Sequence, residues 1–285
     1  MRIRLDIAYD GTHFRGWARQ PGLRTVQGTL EDALSRIVGG EPRLVVAGRT
    51  DAGVHASGQV AHVDLDEAQV ARLPRRRRQG DEPDGVTALA GRIRGVLGAY
   101  PDVTVHHTVA APAGFDARFS AVWRRYVYRI ADLGTGYDPL DRARTTTVKA
   151  HLDVAAMDAA ARSLIGLHDF AAYCKAREEA TTIRTLLEFD WHRDPAGALL
   201  AHVRADAFCH SMVRALVGAC VAVGEGRIDP ERVVAIRDAG ARLPDTKVLA
   251  ARGLVLAEVG YPADELLASR AEQTRNRRDA DDIGS

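Results

Sequence analysis

The sequence predicts an α+β fold, and three observations carry that prediction. Strand-like alternation opens the chain, with Ile3, Leu5, Ile7 and Tyr9 on one face. A helical period follows at Val26, Leu30, Ala33, Leu34 and Ile37. Each half of the 285 residues then supplies strands and helices of similar kinds, joined by connections of mixed length. No Gly-x-Gly-x-x-Gly follows a strand, which disfavours a dinucleotide-binding sheet.

In order along the chain, a strand is expected over residues 3–9 and a Gly- and aromatic-rich loop from Gly11 to Arg24. Thr25 can cap the first helix, and Gly39-Gly40 can stop it. Leu44 to Ala47 reads as a short strand, Gly48 to Ala56 as a Gly-punctuated loop, and Gly58 to Asp64 as a second strand. Helices are expected at Glu67–Leu73 and Thr87–Leu97, separated by an Arg-rich insertion from Pro74 to Asp84. Strands are expected at Val103–Val109 and Arg118–Ala131. Asp153 can cap a helix over Val154 to Leu164, and Thr182–His192 with Ala198–Arg204 reads as a hairpin about the Asp194–Gly197 turn. Phe208 to Val223 is predicted helical and Leu254 to Val259 a closing strand, with a frayed, charged tail from Asp264. The domain expectation is an N-terminal lobe over 1–110, a C-terminal lobe over 111–262 and a flexible tail over 263–285.

Bulk composition narrows the class. Hydrophobic residues make up 46 %, enough for a sizeable core. The 39 Lys and Arg nearly balance the 38 Asp and Glu, so attraction to a polyanion must come from local clusters. Met1 to Asp10 has no continuous apolar run, so neither a signal peptide nor a membrane span is expected. Cys174, Cys209 and Cys220 lack a metal-binding or framework spacing, and reduced thiols in a cytoplasmic protein are expected.

Three segments can carry chemistry. In Gly48-Arg49-Thr50-Asp51-Ala52-Gly53-Val54-His55-Ala56, two glycines permit a sharp turn that projects Asp51 from between two strands. Arg49 can hold that carboxylate ionised, and an ionised Asp can act as a nucleophile. The alternative is a turn Asp bonded to its own backbone. His55 and His62 lack an acidic partner at a ligand spacing, so no metal site is expected there. Around Trp123-Arg124-Arg125-Tyr126-Val127-Tyr128-Arg129, period-two alternation puts Arg124, Tyr126 and Tyr128 on one strand face. Aromatics interleaved with arginines suit an unpaired base with its phosphates, and an amphipathic strand is the alternative. In the third segment, His210 and Arg214 fall one turn apart on the predicted helix, where an ordinary surface Arg is the alternative.

Taken together, the segments resemble the tRNA pseudouridine synthase A family from Tyr9 to about Tyr261. The landmarks are Tyr9-Asp10-Gly11-Thr12, Gly16-Trp17, Arg24-Thr25-Val26-Gln27, Gly48 to Ala56, Ala117 to Ala121 with Arg124-Arg125-Tyr126, His168-Asp169-Phe170, and Met212-Val213-Arg214. The resemblance implies a pseudouridine synthase fold, with two ferredoxin-like α+β lobes whose sheets join across a central basic cleft. It implies that Asp51 is the catalytic nucleophile, with Arg49, Tyr126 and Arg214 beside it, and that Tyr126, Leu254, His210 and Arg124 bind substrate. The implied substrate is uridine at positions 38, 39 and 40 of the tRNA anticodon stem-loop, handled by a cytoplasmic homodimer without cofactor, metal or membrane. A non-catalytic RNA-binding module of the same fold is the alternative. The chain departs from the family pattern at Ala18, Ser211, Ala215 and Ala250-Ala251-Arg252, and in the Arg-rich insertion.

Overall fold

The computed structural model describes residues 1–73, 85–99, 101–175, 181–241 and 247–275. The Arg-rich insertion at 74–84 and the tail beyond 275 lie outside the described residues. The chain is α+β and divides into two compact units. The first comprises Met1–Val122 and Leu256–Arg275, and the described part of the second is Trp123–Val255.

The first unit is built on β1 (Arg2–Tyr9), whose odd-numbered residues are buried in strict alternation. Thr25 caps α1 (Val26–Val38), its hydroxyl accepting the Gly28 N–H at 3.2 Å, and Gly39 ends the helix at φ 75°. After β2 (Leu44–Val46) comes β3 (His55–Asp64), which runs antiparallel to β1. The sequence predicts β3 from Gly58, but it starts at His55 because His55, Ala56 and Gln59 face the interior as the apolar residues do. Helix α2 (Glu67–Val70) is closed by a reciprocal capping box between Asp66 and Gln69. Helix α3 (Thr87–Leu97) lies on β4 (Val103–Ala110), which pairs with the other edge of β1.

The second unit opens with β5 (Trp123–Ala131), five residues later than the alternation suggests. The intervening residues form a turn, because the Asp116 carboxylate accepts the N–H groups of Arg118 at 2.8 Å and Phe119 at 2.9 Å. A two-residue β6 (Thr146–Thr147) pairs parallel to β5. Asp153 caps α4 (Val154–Arg162), and β7 (Gly166–Asp169) follows. The hairpin of β8 (Ile183–Arg193) and β9 (Leu199–Ala205) gives the antiparallel order β5-β9-β8-β7. Helix α5 (Met212–Gly224) is buried along almost its whole length, and α6 (Arg232–Asp238) follows.

Strand β10 (Leu254–Gly260) returns the chain to the first unit alongside β3, where Ala257 O approaches Gly58 so closely that a Cβ there would lie 2.1 Å from it. The segment after Asp264 is ordered as α7 (Leu267–Arg275), correcting the expectation of a frayed tail for these residues. Its helical signal is short, resting on Leu267 and Ala271 four residues apart. Both pack into the first unit, where Ser120 Oγ donates to Leu267 O at 3.0 Å. Among the described residues no helix is long and apolar enough to cross a membrane.

Candidate functional site

The Asp51 turn belongs to the first unit, where the segment after β1 braces it through its neighbours. Trp17 N–H donates to Thr50 O at 3.0 Å, Gly53 N–H to Phe14 O at 3.4 Å, and Val54 N–H closes the turn on Asp51 O at 3.2 Å. Gly53 takes φ 78°, a conformation that favours glycine. Gly11 is equally constrained, since a Cβ there would sit 2.0 Å from Val54 O.

Side chains fix the turn from the interior. Tyr9 Oη and Thr50 Oγ1 share a hydrogen bond of 2.7 Å, and Gln59 Nε2 donates to Gly48 O at 2.8 Å and to Tyr9 Oη at 3.3 Å. Tyr9, Thr50 and Gln59 are all buried, and burial pushes the Tyr9 hydroxyl up to about 12. His55 Nδ1 accepts the Gly11 N–H at 3.1 Å, tying the far side of the turn to the same segment. Thr50 is thus held on both its backbone and its hydroxyl, while Asp51 next to it remains part-exposed and Arg49 exposed. A carboxylate on a pinned backbone with access to solvent is suited to nucleophilic attack. Sequence reasoning missed Tyr9 and Gln59 as braces. The available signal was an amide at Gln59 directly before the apolar Val60 and Ala61.

In the second unit, the alternation predicted for β5 holds. Arg124, Tyr126 and Tyr128 lie on the buried face, and Arg125, Val127 and Arg129 on the other. Tyr126 stands perpendicular to Phe208, with ring centroids 5.1 Å apart. Arg124 is buried and donates through Nη1 to Asp206 O at 2.7 Å, so it anchors the β9–α5 connection. Tyr128 Oη bonds Thr146 Oγ1 and donates to Ala250 O, both at 2.8 Å. Burial pushes this hydroxyl up to about 12, against the pull of Thr146, Arg214 and Arg252. The Tyr128 ring fills the space beside Gly253, and Leu254 directly after it is buried.

Arg214 sits in the first turn of α5, where Nε donates to Leu249 O at 2.6 Å and Leu249 N–H donates back to Arg214 O at 3.2 Å. This reciprocal pair locks α5 to the segment leading into Leu254. Gly218 allows the approach, since a Cβ there would lie 1.8 Å from Lys247 O. The helix begins at Met212, not Phe208, so His210 does not share a helical face with Arg214. Ser211 at φ 65° is the cause: it is left-handed and breaks the helix just before its start. Such a conformation persists where the surroundings over-determine it, and the neighbours here do so. His210 O accepts the Lys175 N–H at 2.9 Å, and Cys209 is paired with Cys174 in a disulfide, their Cα atoms 5.7 Å apart. This corrects the expectation of three reduced thiols. The partners are 35 residues apart and meet only because these two loops pack together. Cys220 remains free and buried.

His62 Nδ1 accepts the Ala117 N–H at 3.0 Å, which makes it a buried structural histidine.

An α+β chain with a part-exposed aspartate on a braced turn, and a separate group of tyrosines and arginines, has the parts of a pseudouridine synthase. The profile of a family described as tRNA pseudouridine synthase matches residues 160–262. The chain is 62 % identical to tRNA pseudouridine synthase A of Leifsonia xyli subsp. xyli (strain CTCB07), covering 97 % of each chain. The protein of that name from Frankia casuarinae is 55 % identical, over 96 % of this chain and 94 % of its own. That from Streptomyces griseus subsp. griseus is 51 % identical, over 98 % and 94 %. The chain belongs to the tRNA pseudouridine synthase A family.

Proposed function

We propose that this chain isomerises uridine to pseudouridine in tRNA with Asp51 as the nucleophile, acting at positions 38, 39 and 40 of the anticodon stem-loop. Near-full-length relatives named tRNA pseudouridine synthase A support the isomerase reading over a non-catalytic RNA-binding module. The observation that carries the residue assignment is the Asp51 turn, braced through Thr50 and Gly48 by buried groups while its own carboxylate stays part-exposed.

The reaction breaks the N1–C1′ bond, turns the uracil and joins C5 to C1′. The C5 proton is lost and N1 gains one, so composition and oxidation state are unchanged. The target nucleotide must first leave its stack, at a cost of a few kcal/mol. Both ribose C1′ and uracil C6 offer an electrophilic carbon to Asp51. Tyr126, held edge-on by Phe208, supplies a flat surface for the detached base, with Leu254 completing the apolar contact. Arg49 and Arg214 supply guanidinium charge that attracts phosphate. His210 and Arg124 have supporting parts, Arg124 by fixing the loop after β9. The reading extends to a homodimer working in the cytoplasm, on the family pattern; sedimentation velocity tests the first of these.

Tritium release from C5-tritiated uridine in unmodified tRNA transcripts tests the assignment. Wild type should release tritium from the 3′ side of the anticodon stem-loop. Asp51→Asn should lose about four orders of magnitude in turnover while keeping tRNA affinity. Turnover surviving in Asp51→Asn would remove Asp51 as nucleophile.

A further inference from the structure

The outer face of the β8–β9 hairpin carries a group of side chains that the isomerase reading does not use. Asp190 and His192 are two residues apart on β8 and therefore share a face. The ladder sets His202 of β9 directly opposite Asp190, which brings it to the same face. Asp190 Oδ1 lies 3.6 Å from His192 Nδ1 and 3.7 Å from His202 Nδ1, too far for a hydrogen bond to either. The two imidazole rings have centroids 4.8 Å apart and are tilted by 59°, and one ligand atom from each of the three residues falls within 4.8 Å of the others.

These spacings are those of ligands around a small cation. Zinc bonds imidazole nitrogen and carboxylate oxygen at roughly 2.0–2.2 Å, so tetrahedral neighbours lie about 3.4 Å apart. Two of the three separations are already within a few tenths of an ångström of that value. We propose that Asp190, His192 and His202 form a binding site for a divalent transition-metal ion of the zinc class, with three protein ligands and a fourth position open to water.

The electrostatics of the surroundings are compatible with the ion. Burial holds the His202 imidazole below its ordinary value, with His192 and Arg125 acting in the same direction against Asp190 and Glu188. At neutral pH it is the free base that a metal requires. Glu188 is ion-paired to Arg204 and Asp158 to Arg162, so the nearby arginine charge is largely answered by carboxylates. Two imidazoles and one carboxylate select zinc-like ions over magnesium or calcium, which prefer all-oxygen sites. Bound there, the ion would cross-link β8 to β9 a few residues from their turn, and binding only the folded state would raise the thermal midpoint. This is a separate site from the Asp51 turn and assigns the ion no part in the isomerisation.

The test is a titration of the full, chelator-treated and dialysed chain with Zn²⁺ by calorimetry, with Co²⁺ as a spectroscopic probe. One saturable Zn²⁺ per chain, visible absorption of four-coordinate Co²⁺ and a rise in thermal midpoint are expected. His192→Ala, at an exposed position, should weaken binding by about tenfold or more, and the H192A/H202A double variant should abolish the saturable phase. Each variant's midpoint without metal reports whether it has folded. H106A/H107A, which removes an adjacent exposed pair from the first unit, should bind as wild type does. Absence of a stoichiometric phase in wild type, or its persistence in the folded H192A/H202A variant, overturns the proposal.

Discussion

Removing a single buried hydroxyl, by Tyr9→Phe, tests whether the turn around Asp51 is positioned or merely folded. The ring and its packing against Trp17, 6.0 Å between centroids, are kept. What is lost is the 2.7 Å bond with Thr50 Oγ1 and the 3.3 Å acceptance of Gln59 N–H. Gln59 keeps its bond to Gly48 O, but the buried Thr50 hydroxyl loses the Tyr9 Oη partner. Stranding a buried hydroxyl costs about 1–3 kcal/mol, and denaturant unfolding should register that loss. Thr50→Val removes the other half of the pair at nearly constant shape. The double variant should then lie less destabilised than the sum of the singles by about 1 kcal/mol. The catalytic consequence is separable. Thr50 is the residue before Asp51, and a displacement of about 1 Å in a reacting group can cost a hundredfold in rate. Tyr9→Phe should therefore lower kcat in the tritium-release assay by about ten- to a hundredfold with KM for tRNA little changed. Full kcat in a variant that has lost the expected stability would refute positioning and leave Tyr9 a core residue only.

Further outcomes follow from the same contacts. Gly11→Ala must push against Val54 O at 2.0 Å, and it should displace the turn, lowering both stability and tritium release. Reducing Cys174–Cys209 opens a cross-link between residues 35 apart, for which chain entropy gives about 4 kcal/mol; denaturation of native and thiol-treated protein compares the two forms. Tyr9 and Tyr128 both have hydroxyls raised from 10.0 to about 12 by burial. Their neutral form is favoured in the folded state, so the contribution is intact below pH 10 and lost as pH rises from 10 toward 12. Stability measured against pH should fall across that window, and less steeply in Tyr9→Phe.

The elements legible in the sequence were those with a local cause. Helix α1 could be read from Thr25 to Gly39 because its cap, its period and its stop are all written within fourteen or so residues, and Asp153 similarly marked α4. Helix α5 was misread at its start because Cys209, His210 and Ser211 have no helix-breaking composition. The left-handed Ser211 follows two residues tied to Cys174 and Lys175, which are remote in sequence. The same distinction separates the site residues. Asp51 was proposed from the glycines about it and from the family string Gly48 to Ala56, a local pattern, whereas Tyr9 and Gln59 brace its turn only through the pairing of β1 with β3. His202 likewise meets Asp190 only through the register of β8 on β9. Period-two alternation can say which residues of a strand share a face, but not which residue of another strand will stand opposite. Arg124 shows the converse. Its face was assigned correctly from alternation, yet its bond to Asp206 O depends on where β9 ends and could not be read from the strand alone. Side chains whose work depends on partners far along the chain become visible only once strand register is known, and the braces of the Asp51 turn are of that kind.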